Sequence, residues 1–94
     1  MFSWDIQKAS SNKAKHGVSF EEAVTVFTDP EGLDFDDPQH SAEEKRLKRL
    51  GVSLDNRVLL VVYTVRELKN GKETIRIISA RQGSKKEKAA YARL

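Results

Sequence analysis

The chain has 94 residues, 38% hydrophobic and 33% charged, and no cysteine, which bounds it to a single globular domain with a modest core and excludes a disulfide framework or thiolate metal site. No apolar run approaches the roughly 20 residues that a membrane-spanning helix needs, and the opening MFSWDIQKAS lacks a signal-peptide pattern, so a cytoplasmic location without membrane contact is expected. The net charge of +3 conceals a split: residues 1–40 hold three Lys against eight Asp/Glu, and residues 41–94 hold fourteen Lys/Arg against six Asp/Glu. A basic C-terminal half suits a polyanion or an acidic protein partner, or else a plain solvated surface.

Phe2 and Trp4 alternate around Ser3, which predicts a short first strand. Asp5 can cap a helix that runs to His16 and stops at Gly17, with a thin apolar face of Ile6, Ala9 and Ala14. A second helix is predicted by the S-x-x-E box Ser19/Glu22 and by Phe20, Ala23, Val24 and Phe27 at helical spacing, ending before Asp29-Pro30. The acidic segment EGLDFDDPQHS follows, with Leu33 and Phe35 alternating as in an edge strand. Its Asp34, Asp36 and Asp37 lack the spacing and glycine of a calcium loop and read as an acidic turn. EEKRLKRLGV, residues 43–52, fits helix or strand. RVLLVVYTVR is the strongest strand pattern, Asn70-Gly71 predicts a tight hairpin, and ETIRIISAR returns antiparallel. A second capping box, Ser84/Glu87, opens a last helix bearing Ala89, Ala90, Tyr91 and Leu94. The expected fold is α+β: an antiparallel sheet with two N-terminal helices and one C-terminal helix.

Arg76 and Arg81 interrupt a run otherwise fit for the core. A two-residue turn pairs positions whose numbers sum to 141 and puts Thr64, Arg66, Ser79 and Arg81 on one face, with Arg76 on the other. A bulge or longer loop makes the sum 140 and groups Thr64, Arg66 and Arg76. Either way two arginines and a hydroxyl meet, the composition of a phosphate site. The competing reading has strand arginines reaching the rim to pair with Glu67 or Glu73. Lys85, Lys86 and Lys88 could track a nucleic-acid backbone or be the wet side of a helix, and Tyr91 could stack, donate a proton or pack its ring. Lys15 and His16 stand where a helix ends, so the dipole favours the protonated imidazole, as a proton donor, phosphate ligand or helix cap. His40 looks structurally neutral, and two distant histidines without a companion ligand make a weak zinc case.

Several blocks together resemble the BrnT toxin family: Trp4-Asp5, N-x-x-K-H-G-V-S-F-E-E-A from Asn12 to Ala23, VF-x-DP from Val26 to Pro30, Gly51-Val52-Ser53, V-V-Y-T-x-R from Val61 to Arg66, I-R-I-I-S-A-R from Ile75 to Arg81, and the closing S-x-x-E with Tyr91. The resemblance implies a RelE-like fold, with residues 43–52 as a strand, and a ribonuclease toxin of a type II toxin–antitoxin system that blocks translation. It implies neutralisation by a BrnA-like ribbon-helix-helix antitoxin, in a 2:2 complex that reaches operator DNA only through the antitoxin. It implies RNA cleavage without a metal or other cofactor. Arg66, Arg76 and Arg81 would hold phosphate, with Lys15, His16 and Tyr91 as proton-transfer or positioning candidates and Thr64, Lys85, Lys86 and Lys88 contacting RNA. Val65 stands where family members often carry a carboxylate, and the hairpin ELKNGKE is longer than usual. Those departures leave room for an alternative, a weak or inactive RNA-binding or antitoxin-binding module.

Overall fold

The computed structural model describes residues 1–40 and 44–93. Strand β1 (Phe2–Ser3) leads into α1 (Ile6–His16) and α2 (Phe20–Thr25), then a 3₁₀ turn at Val26–Thr28. The edge strand β2 (Leu33–Asp36), a second 3₁₀ turn at Pro38–His40, and strands β3 (Arg46–Val52), β4 (Val58–Glu67) and β5 (Glu73–Gln82) follow, and α3 (Lys85–Ala92) closes the chain. The sheet order is β1-β5-β4-β3-β2, with β1 parallel to β5 and every other pair antiparallel. This is the expected α+β architecture, and residues 46–52 are strand.

The caps work as their chemistry dictates. The Asp5 carboxylate accepts from the backbone N–H of Gln7 and Lys8, and Gly17 ends α1 at φ 68°, a conformation side-chain-bearing residues resist. The Ser84/Glu87 box is complete. At Ser19/Glu22 only half forms: Ser19 caps the Glu22 N–H, but the Glu22 side chain turns to Ser53 and Arg57. The second helix also stops sooner than its periodicity predicts, tightening into the 3₁₀ turn before Asp29 takes extended geometry.

The core lies between the two N-terminal helices and one face of the sheet, where Val18, Phe20, Ala23 and Val26 meet Leu59, Val61, Tyr63, Ile77 and Ala80. Fully burying each of the larger side chains contributes roughly 1.5–3 kcal/mol. Phe27 links the layers, edge-on to the Tyr63 ring at 5.0 Å and tilted against Phe2 at 5.2 Å. Apolar periodicity misjudges α1, because Ile6 is 81% exposed and the buried residue is Asn12. Its side-chain NH₂ donates to Val18 O at 2.9 Å and Ala80 O at 2.8 Å, and its carbonyl accepts from Ala80 N at 3.1 Å. One amide thereby mimics a neighbouring strand on the edge of β5 and ties down the loop between the helices. In α3, Ala89 and Ala90 are exposed, and Leu94 lies outside the described residues.

The hairpin takes the longer of the two loops that the sequence leaves open. Leu68 N donates to Lys72 O and Gly71 takes φ 80°, so Lys69, Asn70 and Gly71 form a three-residue turn and the register sum beside it is 140. Farther along, Val62 pairs Ser79 while Tyr63 pairs Ile77, which leaves Ile78 as an extra residue and returns the sum to 141. Both registers occur, one on each side of a bulge.

Replacing Asn12 with Ala leaves buried backbone groups of Ala80 and Val18 without partners. Urea denaturation should show a loss of about 2–4 kcal/mol, at one to a few kcal/mol per buried group left unsatisfied.

A basic sheet face and two adjoining clefts

Residues paired across a ladder share a face, and side chains alternate along each strand. Pairing with Thr64 places Arg76 outward, pairing with Leu60 places Arg81 outward, and Arg66 lies on the same side opposite Thr74. Neither simple register achieves this. The bulge at Ile78 changes the alternation between Arg76 and Arg81, so both point away from the helix-covered core. Strand β3 adds Arg46, opposite Thr64, and Lys48, opposite Val62.

The arginines have different surroundings. Arg81 is clamped by Glu87, with Nη1 at 2.7 Å from Oε1 and Nη2 at 3.1 Å from Oε2. Arg66 makes a long, exposed contact of 3.3 Å with Glu44. Arg76 is half-buried and makes no hydrogen bond or ion pair among the described residues, although its charge reaches the Asp5 carboxyl. The expected partners Glu67 and Glu73 take none of them; the carboxylates come from the chain before β3 and from α3. Of the three, Arg76 is the guanidinium left to an incoming anion.

Among the described residues two clefts open beside this face, and both have Ile78 and Ser79 in their walls. One, of about 250 Å³, is lined by Asp37, His40, Arg46, Lys48, Ser79 and Arg81. The other, of about 210 Å³, lies between α1 and β5, lined by Lys8, Ser11, Asn12, Lys15 and His16 on one side and Ile78 and Ser79 on the other. The bulge therefore joins Lys15 and His16 to the arginine face, although some sixty residues separate them in sequence.

Other candidates sit elsewhere. The Thr64 hydroxyl is buried and donates to Lys45 O at 2.8 Å, bracing the chain where it enters β3. Tyr91 lines neither cleft; its hydroxyl donates to Asp29 Oδ2 at 2.5 Å, and this bond, with burial and the nearby negative charge, pushes its pKa up to about 12. Burial disfavours the Asp29 charge, but hydrogen bonds from Tyr91, Val52 N and Glu31 N outweigh it and keep the carboxyl below its ordinary range. Tyr91 thus ties α3 to the end of the helical layer. Lys85, Lys86 and Lys88 are exposed on the opening turns of α3, flanking the Glu87 that holds Arg81.

Asp34, Asp36 and Asp37 do not converge. Asp34 faces the core side, accepting from Tyr63 OH at 2.7 Å and Arg49 Nη1 at 2.5 Å, whereas Asp37, the rung opposite Arg46, borders the outer cleft and accepts from His40. Asp36 pairs with Lys45. Among the described residues no three His, Asp or Glu side chains are grouped to hold a metal ion. Val65 pairs with Ile75 on the core side, so the carboxylate missing at this position would not have projected among Arg66 and Arg76.

Residues 4–87 match the family described as the BrnT ribonuclease toxin of a type II toxin–antitoxin system. The chain belongs to the BrnT family. The 1.1 Å crystal structure of the Brucella abortus ribonuclease toxin BrnT superposes with a TM-score of 0.67 at 25% identity, covering 90% of this chain and 99% of that one. No curated protein matches. In this BrnT-family chain, sequence reasoning missed Arg46, Lys48, Asp37 and His40. Arg46 and Lys48 were legible only once residues 43–52 were read as a strand, and the Asp37/His40 spacing of three was the sole local trace of that pair.

Glu87 generates a pH prediction. Its hydrogen bonds from Arg81 outweigh burial and lower its pKa to about 2 from an ordinary 4.5. A depressed carboxyl pKa stabilises the fold above the unfolded value and loses that contribution as pH falls towards the folded one. Stability should therefore fall between about pH 4.5 and 2, and Glu87→Gln should flatten that part of a denaturation-against-pH curve.

Proposed function

We propose that this chain cuts RNA on the outer face of its sheet, with Arg76 as the principal phosphate ligand. Arg66, Arg81, Arg46 and Lys48 supply the surrounding positive field. The observation that carries the reading is the bulge at Ile78, which gathers arginines from two registers onto one face beside two open clefts.

In the reaction the ribose 2′-oxygen attacks the adjacent phosphorus, the bond from phosphorus to the 5′-oxygen breaks, and a 2′,3′-cyclic phosphate and a 5′-hydroxyl result. Charge grows on the phosphoryl oxygens in the transition state, where preorganised guanidinium groups stabilise it more than in the ground state. Fixed charges of this kind let the reaction run without a metal ion. Lys15 and His16 border the second cleft, where they can hold the flanking nucleotide, and Lys85, Lys86 and Lys88 can follow the strand beyond Arg81. A need for the 2′-hydroxyl makes RNA a substrate and DNA none.

Family membership supports the rest of the reading. Cleavage of messenger RNA in the cytoplasm arrests translation. A ribbon-helix-helix antitoxin of the BrnA type covers the basic face in a 2:2 complex and carries the pair to operator DNA. No helix among the described residues is long and apolar enough to cross a membrane. The inactive-module alternative drew its support from Val65, which faces away from the arginines.

Induction of the chain alone in bacteria should stop growth and degrade total RNA, and co-expression of its antitoxin should restore both. Arg76→Ala should lower the cleavage rate by roughly 10²–10³-fold, the loss typical of one transition-state donor, with unchanged circular dichroism. Normal growth and intact RNA with folded wild-type protein would refute the proposal.

A further inference from the structure

The larger cleft holds a pair of titratable side chains that the phosphate-binding reading does not use. His40 closes the 3₁₀ turn after β2, and its Nδ1 lies 3.1 Å from Asp37 Oδ1 and 3.2 Å from Oδ2. The carboxylate is anchored to the sheet. Asp37 N donates to Arg46 O at 3.0 Å, continuing the β2–β3 ladder, and the Asp37 side chain is only 5% exposed. The imidazole is the opposite, with 62% of its side chain exposed. Among the described residues, Asp37, Arg46, Lys48 and Arg81 are the charged groups that border the cleft with it.

A carboxylate only accepts hydrogen bonds, so the ring nitrogen facing it carries the hydrogen. In the neutral ring that leaves the lone pair on Nε2, away from Asp37. Resting an imidazole Nδ1–H on a buried carboxylate, with the other nitrogen open to a reacting group, is the arrangement by which a general base is held in one tautomer and orientation. A turn-capping pair would need neither the exposed ring nor cations around a shared cleft. The smaller cleft offers His16 no such partner, since no carboxylate lines it.

We propose that His40 is a catalytic residue of this ribonuclease and Asp37 its positioning residue, an assignment that rests on the RNA-cleaving reading above. His40 Nε2 takes the proton of the ribose 2′-hydroxyl as the 2′-oxygen bonds to phosphorus. The P–O5′ bond breaks, and the departing 5′-oxygen takes a proton from solvent water at the mouth of the cleft. Later loss of the imidazolium proton to solvent resets the site. Arg76, on the same sheet face, binds the phosphoryl oxygens, and Arg81, held by Glu87 on the cleft wall, adds to the positive field around them.

The test follows loss of a reporter messenger RNA in a translating cell-free extract, so that ribosomes and RNA are both present, with purified wild-type and variant full chains. His40→Gln should slow cleavage by about 10²–10⁴-fold, the range for removing a general base, with the fold intact because the ring is largely exposed. His40→Gly should regain a measurable part of the rate on addition of imidazole, which a lost phosphate contact or a loosened turn would not. Asp37→Glu, which keeps an acceptor for Nδ1–H, should retain more activity than Asp37→Ala. If the wild type cleaves and His40→Gln stays within threefold of it, or imidazole restores nothing to a slowed His40→Gly, the assignment of His40 fails and the ribonuclease reading stands. If the folded wild type leaves RNA intact, both fall.

Discussion

A single extra residue, Ile78, governs what this sheet can do. In a regular strand Arg76 and Arg81 have opposite parity, so one of them would face the hydrophobic core, where an unpaired guanidinium is strongly disfavoured. The bulge absorbs one residue between them and both point outward. A bulge disrupts the ladder locally and needs support from outside it. Asn12 supplies that support by bonding both backbone groups of Ala80, two residues beyond Ile78, from the buried side of α1. The helix that lines the smaller cleft is therefore also the one that secures the irregularity on which the basic face depends.

The uneven charge of the two halves has a structural meaning. Acidic residues of the N-terminal part turn inward or sideways and satisfy specific cations of the C-terminal part. Glu22 accepts from Arg57 and from Ser53 Oγ, and the Arg57 hydrogen bonds, more than burial opposes them, keep its carboxyl below the ordinary range. Asp34 takes Arg49 and Tyr63, while Arg49 also donates to the carbonyls of Val26 and Asp29 and lies 5.4 Å from the Phe27 ring centre. Asp29 gathers Val52 and Tyr91. These pairs are hydrogen-bonded on several sides, the condition under which a part-buried charge is tolerated. They bind loops and helices to the core side, which leaves the positive charge of β3, β4 and β5 concentrated on the other. Asp37 is the acidic exception on the outer side, where it accepts from the His40 imidazole.

Residue patterns made much of the secondary structure legible. The alternation in residues 57–66 and 73–81, the caps at Asp5, Ser19 and Ser84, and Gly17 as a stop all rest on local chemistry. So does the α+β class. Legibility failed where a polar residue does the work of packing, as Asn12 does, and where one stretch satisfies two periods, as residues 43–52 do. Glu22 was misread as half of a reciprocal cap because its true partners, Ser53 and Arg57, lie more than thirty residues away.

The sequence by itself determined the local elements, the charge split and, through linked motifs, the family. Hydrophobic period, capping and turn chemistry act over a few residues and need nothing distant. Tertiary structure alone decided which arginines share a face, that Tyr91 is engaged by Asp29 and Thr64 is buried, and that His40 and Asp37 border the same cleft as Arg81. The shared face of the arginines depends on a register sum of 140 on one side of the bulge and 141 on the other. Register is settled by a three-residue turn and one bulge, whose stability comes from contacts as remote as Asn12 to Ala80, and no local pattern carries that information.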